Sequence, residues 1–144
     1  MRPIKNLTKA AIILNDQILC TKNVDKNGDY FLLPSELQKN GEQLRVTLKR
    51  GFTAKSGIEI DVLDMVYVKE YMAEKYDNPE WEIDTHQVDY YFMCNFSNDE
   101  IKNISDLGKI GLDENKYIWI NFHELESVRI YPEDLVSILK NGHS

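Results

Sequence analysis

The chain has 144 residues, of which 42% are hydrophobic and 28% charged, and a net charge of −7. That is the composition of a soluble globular protein, read as one domain over residues 1–144 with enough chain to bury a core unaided by staples. The acidic balance excludes generic nucleic-acid affinity. The lack of any apolar run near the roughly 20 residues of a membrane span excludes a bilayer-crossing helix, and a cytoplasmic location is expected.

In chain order, "KAAIIL" and "QILCTKN" flank Asn15-Asp16 and predict a hairpin. "DKNGD", Asp25 to Asp29, is a turn cluster whose aspartates form turns rather than hold metal. "YFLLP" is a short strand stopped by Pro34. Leu44, Leu48 and Phe52 recur at i, i+4 and i+8 and predict a helix that stops at Gly57. A long extended run, "IEIDVLDMVYVKEYM", leads into an acidic loop over 73–84, where Asn78-Pro79 marks a turn. "THQVDYYFMCNF" is a further strand, and "SNDEIKNISDLGKIGLDEN" reads as loop with a helical turn. "KYIWI" is a strand, "NFHEL" a turn of helix and "YPEDLVSILKNG" a terminal helix. In that helix Pro132 suits the first turn, Glu133 and Asp134 its positive end, and Gly142 the stop.

Strands, a helix, more strands and a last helix predict an α/β (α+β) fold, a mixed sheet with helices packed on its faces. Cys20 and Cys94 lie in strand-like runs and are expected to be buried, reduced thiols. His86, His123 and His143 are isolated, and no Cys/His spacing suits zinc. One feature breaks the acidic pattern. Between Leu37 and Gly57, Lys39, Arg45, Lys49, Arg50 and Lys55 face only Glu42.

The stretch "GEQLRVTLKRGFTAKSGIEI", with the strand "LLP" before it, resembles the Nudix family, whose box is written G-x5-E-x7-R-E-U-x-E-E-x-G-U with U a bulky apolar residue. Glu42 matches the first Glu, Arg50 the Arg, Phe52 a U position, Gly57 the last Gly and Ile58 the final U, while Glu36 replaces the opening glycine. The closing segment "YIWINFHELESVRIYPEDLVSIL" is also similar to the end of that family's domain. The resemblance implies a Nudix-type α/β/α sandwich and descent from hydrolases of nucleoside diphosphate derivatives. Their three further box glutamates hold Mg²⁺ or Mn²⁺, hard cations that want oxygen ligands.

Those three positions hold Gly51, Ala54 and Lys55. Glycine and alanine offer no ligand, and an ammonium repels a cation. The architectural positions are kept: Glu42 and Arg50 are suited to an ion pair, Phe52 to the core and Gly57 to the helix end. At 100° per residue from Leu44, Lys55 falls at about 20°, Gly51 at about −20° and Ala54 at about −80°, all on or beside the inward face. Lys55 is then expected either to snorkel or pair with an acid such as Glu36 or one in the 70–84 loop, or to hold a phosphate in place of metal. Gly51 within a helix costs about 1 kcal/mol relative to alanine.

The leading expectation is a catalytically impaired protein that binds a nucleotide or other phosphorylated ligand, with Lys55, Glu42 and Arg50 as binding candidates and no cofactor. An alternative is an active hydrolase that takes Mg²⁺ or Mn²⁺ through acids outside the box, from among Glu70, Glu74, Glu80, Glu82 and Asp84, with His86 a weaker choice. Glu82 and Asp84 are its catalytic candidates. A third is a protein-interaction domain. Tyr71, Tyr76, Trp81 and Tyr90 are candidates to stack a base. Oligomer formation is compatible with the composition, and Glu at 51, 54 and 55 together is expected to create Mg²⁺ binding.

Overall fold

Successive side chains of a strand point to opposite faces, so the run Ala10, Ala11, Ile12, Ile13 demands a sheet covered on both sides. The computed structural model, which describes residues 3–72, 86–99, 101–102 and 117–142, places the run in that setting. Strands β1 (Ile4–Leu14), β2 (Gln17–Asp25), β3 (Gly28–Leu32) and β4 (Ser35–Leu37) precede helix α1 (Leu44–Ser56). Strands β5 (Ile60–Met72), β6 (His86–Phe96) and β7 (Tyr117–Asn121) follow, then a 3₁₀ segment (Phe122–Ser127), β8 (Ile130–Tyr131) and helix α2 (Leu135–Gly142). No helix among the described residues is long and apolar enough to cross a membrane.

Among the described residues the mixed sheet runs β5-β6-β1-β2-β3-β8, with β7 beside β2 and β4 beside β1. The central pairing is parallel, β1 on β6 from Ile4↔His86 to Ile12↔Cys94. Asn15 and Asp16 both have positive φ, 52° and 59°, the two-residue turn geometry that matches strand twist. Only the last residues of β1 pair with β2, Ile13↔Ile18 and Leu14↔Gln17. Where β2 has diverged, β4 takes its place, with Thr8 opposite Glu36.

Alternation sorts the apolar residues into two cores. Ala10, Ile12, Leu19, Phe92 and Cys94 pack with Leu48 and Phe52 of α1. Ala11, Ile18, Cys20 and Tyr91 pack with Leu125 and with Leu135 and Leu139 of α2. The expected sandwich is present. Cys20 and Cys94 are free and buried, in different cores, and burial pushes both thiols up to about 12. Lys9 and Asp89 are also buried. Burial lowers the Lys9 pKa and raises that of Asp89, and their mutual attraction opposes both shifts.

Two arginines fasten the elements. Arg45 donates to the carbonyls of Val62 (3.1 Å) and Leu63, where the β5–β6 register shifts, and so ties α1 to an irregular strand. Arg129 forks onto Asp25 at 2.8 and 2.6 Å and lies 5.1 Å from the Tyr30 ring centroid. It joins the β2–β3 turn to the chain entering β8. Asp25 also accepts from the Asn27 N–H at 2.8 Å, so it is the turn former its sequence setting implies.

Three sequence expectations change. The first strand begins at Ile4, well before Lys9. The terminal helix begins at Leu135, so Pro132, Glu133 and Asp134 lie ahead of it, where the Pro132 and Asp134 carbonyls accept from Leu135 and Ile138. Strands β4 and β8, of three and two residues, carry too few residues for a periodic signal.

Leu48 is 1% exposed and Val46, on the same helix, 52%. Leu48→Ala is expected to cost about 3 kcal/mol by leaving a cavity, and Val46→Ala less than about 0.5 kcal/mol. Chemical denaturation of the two variants measures the difference.

Candidate functional site

Helix α1 starts without a side-chain cap from Gln43, and the preceding loop is fixed by Glu42 instead. Glu42 accepts from Arg50 Nε at 2.6 Å and Arg50 Nη2 at 3.1 Å. It also accepts from Thr47 Oγ1 and the Lys39 N–H, both at 3.0 Å. The hydrogen bond from Arg50 holds its carboxyl down at about 2, from an ordinary 4.5, with the Lys39 and Thr47 bonds adding to the effect against partial desolvation. The ion pair suggested by the eight-residue spacing is therefore formed. At the other end Gly57 has φ 77° and its N–H donates to the Thr53 carbonyl at 2.8 Å, a left-handed stop that favours glycine.

Between these ends the three non-acidic box positions take distinct places. Gly51 is buried, whereas Ala54 and Lys55 are exposed. The angular reading put all three on or beside the inward face. It holds for Gly51 and, in direction, for Lys55, which is exposed but reaches toward β4 and the cleft; Ala54, the farthest of the three from the apolar stripe, is exposed. Lys55 leans back across the helix toward β4. Its Nζ lies 2.8 Å from Glu36 Oε2 and 3.4 Å from the Ser35 carbonyl.

Glu36 lies over Gly51. A Cβ at position 51 would overlap the Cγ, Cδ and Oε2 of the Glu36 side chain. Oε2 is buried and, although paired in charge with Lys55, lacks a properly directed hydrogen bond among the described residues. Arg50 Nη1 stands 3.9 Å from Oε1. Sequence reasoning named Glu36 only as the residue replacing a glycine and as one of several possible partners of Lys55. Its position over Gly51 had no sequence signal, because it depends on β4 lying beside the helix.

Lys55 borders a pocket of about 470 Å³ between β2, β3 and α1, within the size range of small-ligand sites. Leu48, Phe52 and Tyr117 give it an apolar side, and Thr21, Asn23 and Ser35 a polar one. The rings of Phe52 and Tyr117 stand 5.9 Å apart. Sequence reasoning missed Thr21, Asn23 and Tyr117, which line this pocket because β7 pairs with β2 and sets Tyr117 opposite Thr21. Glu42 and Arg50 are bound to each other outside it, and Glu42 lines a second hollow of about 380 Å³ with Asn6, Gln38 and Lys39.

These residues do not fit a divalent cation. Position 51 has no side chain and its space is filled, Ala54 has only a methyl, and the Glu36 carboxylate already faces an ammonium. Among the described residues no group of three or more His, Cys, Asp or Glu is placed to hold a metal. The same substitutions alter the expected restoration. Glu at 51, 54 and 55 together would first have to displace the Glu36 side chain from the space over position 51.

Of the other candidates, Glu74, Tyr76, Glu80, Trp81, Glu82 and Asp84 lie outside the described residues. Glu70, on β5, is exposed and lies 2.8 Å from His86 Nε2. Tyr71 and Tyr90 lie on β5 and β6, and the Tyr90 hydroxyl reaches Asn6 Oδ1 at 3.4 Å.

No protein-family model matches the sequence, and no curated protein matches it. Solved structures do resemble the fold. A Nudix hydrolase from Nitrosomonas europaea superposes with a TM-score of 0.68 at 12% identity, over 98% of this chain and 89% of that one. A MutT protein of the Nudix hydrolase family from methicillin-resistant Staphylococcus aureus 252 gives 0.65 at 20% identity, over 97% and 96%. An ADP-ribose pyrophosphatase from Streptococcus suis 89-1591 gives 0.60 at 15% identity, over 97% and 92%. Likeness at these identities is likeness of fold.

The Glu42–Arg50 pair yields a pH test. Because the folded Glu42 value, about 2, lies below the ordinary 4.5, its stabilisation is complete above the higher value and drains away as pH falls toward the lower one. Glu42→Gln is expected to melt below wild type at neutral pH, with the gap closing on acidification through that window. A gap that stays constant across thermal melts in the window would contradict this assignment.

Proposed function

We propose that this chain, which has the Nudix fold, binds a phosphorylated small molecule of the nucleotide class without metal and does not hydrolyse it through its box. The observation that supports this reading is Lys55, an ammonium at the edge of the pocket. Its side chain is 58% exposed, and its counter-ion comes from the protein itself.

The Lys55 side chain is exposed although its Glu36 partner is largely covered, and with three N–H groups Lys55 can keep the carboxylate and turn a second N–H toward a phosphate in a charge-assisted hydrogen bond. Thr21, Asn23 and Ser35 supply further donors and acceptors for phosphate or sugar oxygens. The apolar side at Leu48, Phe52 and Tyr117 suits the uncharged part of such a ligand. The nucleotide class is supported by a fold neighbour, the Streptococcus suis enzyme, named for ADP-ribose.

Thermal shift and turnover assays over a panel of nucleotides and nucleotide sugars, each in EDTA and with Mg²⁺ or Mn²⁺, test the proposal. Stabilisation in EDTA without turnover is expected, and Lys55→Glu should weaken binding roughly ten-fold or more by removing a charge-assisted contact. Metal-dependent turnover by the wild-type protein would replace this reading with that of a hydrolase using acids outside the box. Silence toward every ligand would point to a protein-interaction domain.

A further inference from the structure

We infer that positions 36 and 51 are an exchanged pair. The carboxylate that the Nudix box places on the helix is delivered here from β4 by Glu36, the glycine of the box's opening position stands on the helix as Gly51, and Lys55 is the built-in cation that this relocated carboxylate holds. The divalent-cation site of the fold is thereby converted into an internal carboxylate–ammonium site, with Glu36 as the positioning residue for Lys55.

Three independent observations meet at Glu36. First, its side chain occupies the volume that any residue larger than glycine would need at position 51. A helical glycine is ordinarily a cost; here the missing Cβ makes room for a carboxylate. Second, the β4 backbone is pinned, since Thr8 Oγ1 donates to the Glu36 carbonyl at 3.1 Å and the Ala10 N–H to the Pro34 carbonyl at 2.9 Å. The Glu36 side chain is thus delivered from a fixed strand. Third, Oε2 is buried without a directed hydrogen bond, and its close counter-charge is Lys55 Nζ at 2.8 Å, with Arg50 farther away at 3.9 Å from the other oxygen.

A buried carboxylate oxygen without directed donors is costly unless a cation stands beside it. Lys55 supplies that cation on a tether. Remove the ammonium, and Glu36 together with the Ser35 carbonyl presents hard oxygen atoms of the kind divalent cations take, with water completing the shell.

Two measurements test the exchange, and neither depends on what fills the pocket. In the wild-type protein Gly51→Ala is expected to lower Tm, because its Cβ displaces Glu36 from Lys55. In a Glu36→Ala background the same change is expected to raise Tm by about 3 °C through helix propensity. Additive effects around that cycle would overturn the exchange. By calorimetric titration, Lys55→Ala is expected to bind Mn²⁺ roughly ten-fold more tightly than wild type, and Glu36→Gln combined with Lys55→Ala to lose that gain. A folded Lys55→Ala protein with no such gain, or one that keeps it without the Glu36 carboxylate, would overturn the role given to Lys55. Should Lys55→Ala not fold, the Gly51 and Glu36 cycle decides the exchange alone. Absence of phosphate binding would defeat the proposed function while leaving both readouts intact.

Discussion

Helix α1 meets β4 through a notch. Position 51 contributes only backbone, so the Glu36 side chain can lie against the helix where a larger residue at 51 would have pushed it away. From that contact the rest of the site follows. Glu36 holds the Lys55 ammonium at 2.8 Å while the lysine side chain stays exposed, and Lys55 borders the pocket beside Phe52 and Ser35. Close packing makes the coupling strong, because two side chains cannot share one volume. A single glycine on a helix face thereby sets the position of two charges on different elements.

Helix α1 carries two sets of residues. Its frame is intact. The Glu42–Arg50 fork clamps the entering loop, Leu48 and Phe52 fill the core, and Gly57 turns the chain out toward β5. At positions 51, 54 and 55 the helix presents only hydrogen, methyl and ammonium, none of them an oxygen ligand for a hard cation. Leu48 and Phe52 are held by burial, and the same side of the helix carries the buried Gly51 and borders the pocket with Lys55. Lys55 also sits in the last turn, where the helix dipole favours a cation. Its charge suits the helix end on which it stands.

Much of the fold could be read directly. Ala10 to Leu14 and Gln17 to Asn23 had the β-branched content and the Asn-Asp turn of a hairpin, and the Leu44, Leu48, Phe52 stripe had one period long enough to be unambiguous. The small pieces could not be read. Strand β4 has three residues and β8 two, and both exist because a neighbouring strand offers free hydrogen-bonding groups, which is a property of the assembled sheet. Lys9 and Asp89 were equally hidden. Charged residues in strands normally face water, and only the parallel pairing of β1 with β6 brings this pair together under cover.

By itself the sequence determined that α1 would form, where it would stop, that Glu42 and Arg50 would meet across eight residues, and that positions 51, 54 and 55 carried no oxygen ligand. Those are local facts, fixed by helical spacing and by side-chain chemistry. Only the tertiary structure decided that Glu36 fills the space above Gly51, that Lys55 turns back to it, and that Thr21, Asn23 and Tyr117 join Leu48 and Phe52 around one pocket. These contacts join residues far apart in the chain and depend on β4 pairing with β1 and β7 with β2, which no periodicity records. Glu36 was visible in the sequence as a missing glycine. The fold placed its side chain where Gly51 has no Cβ.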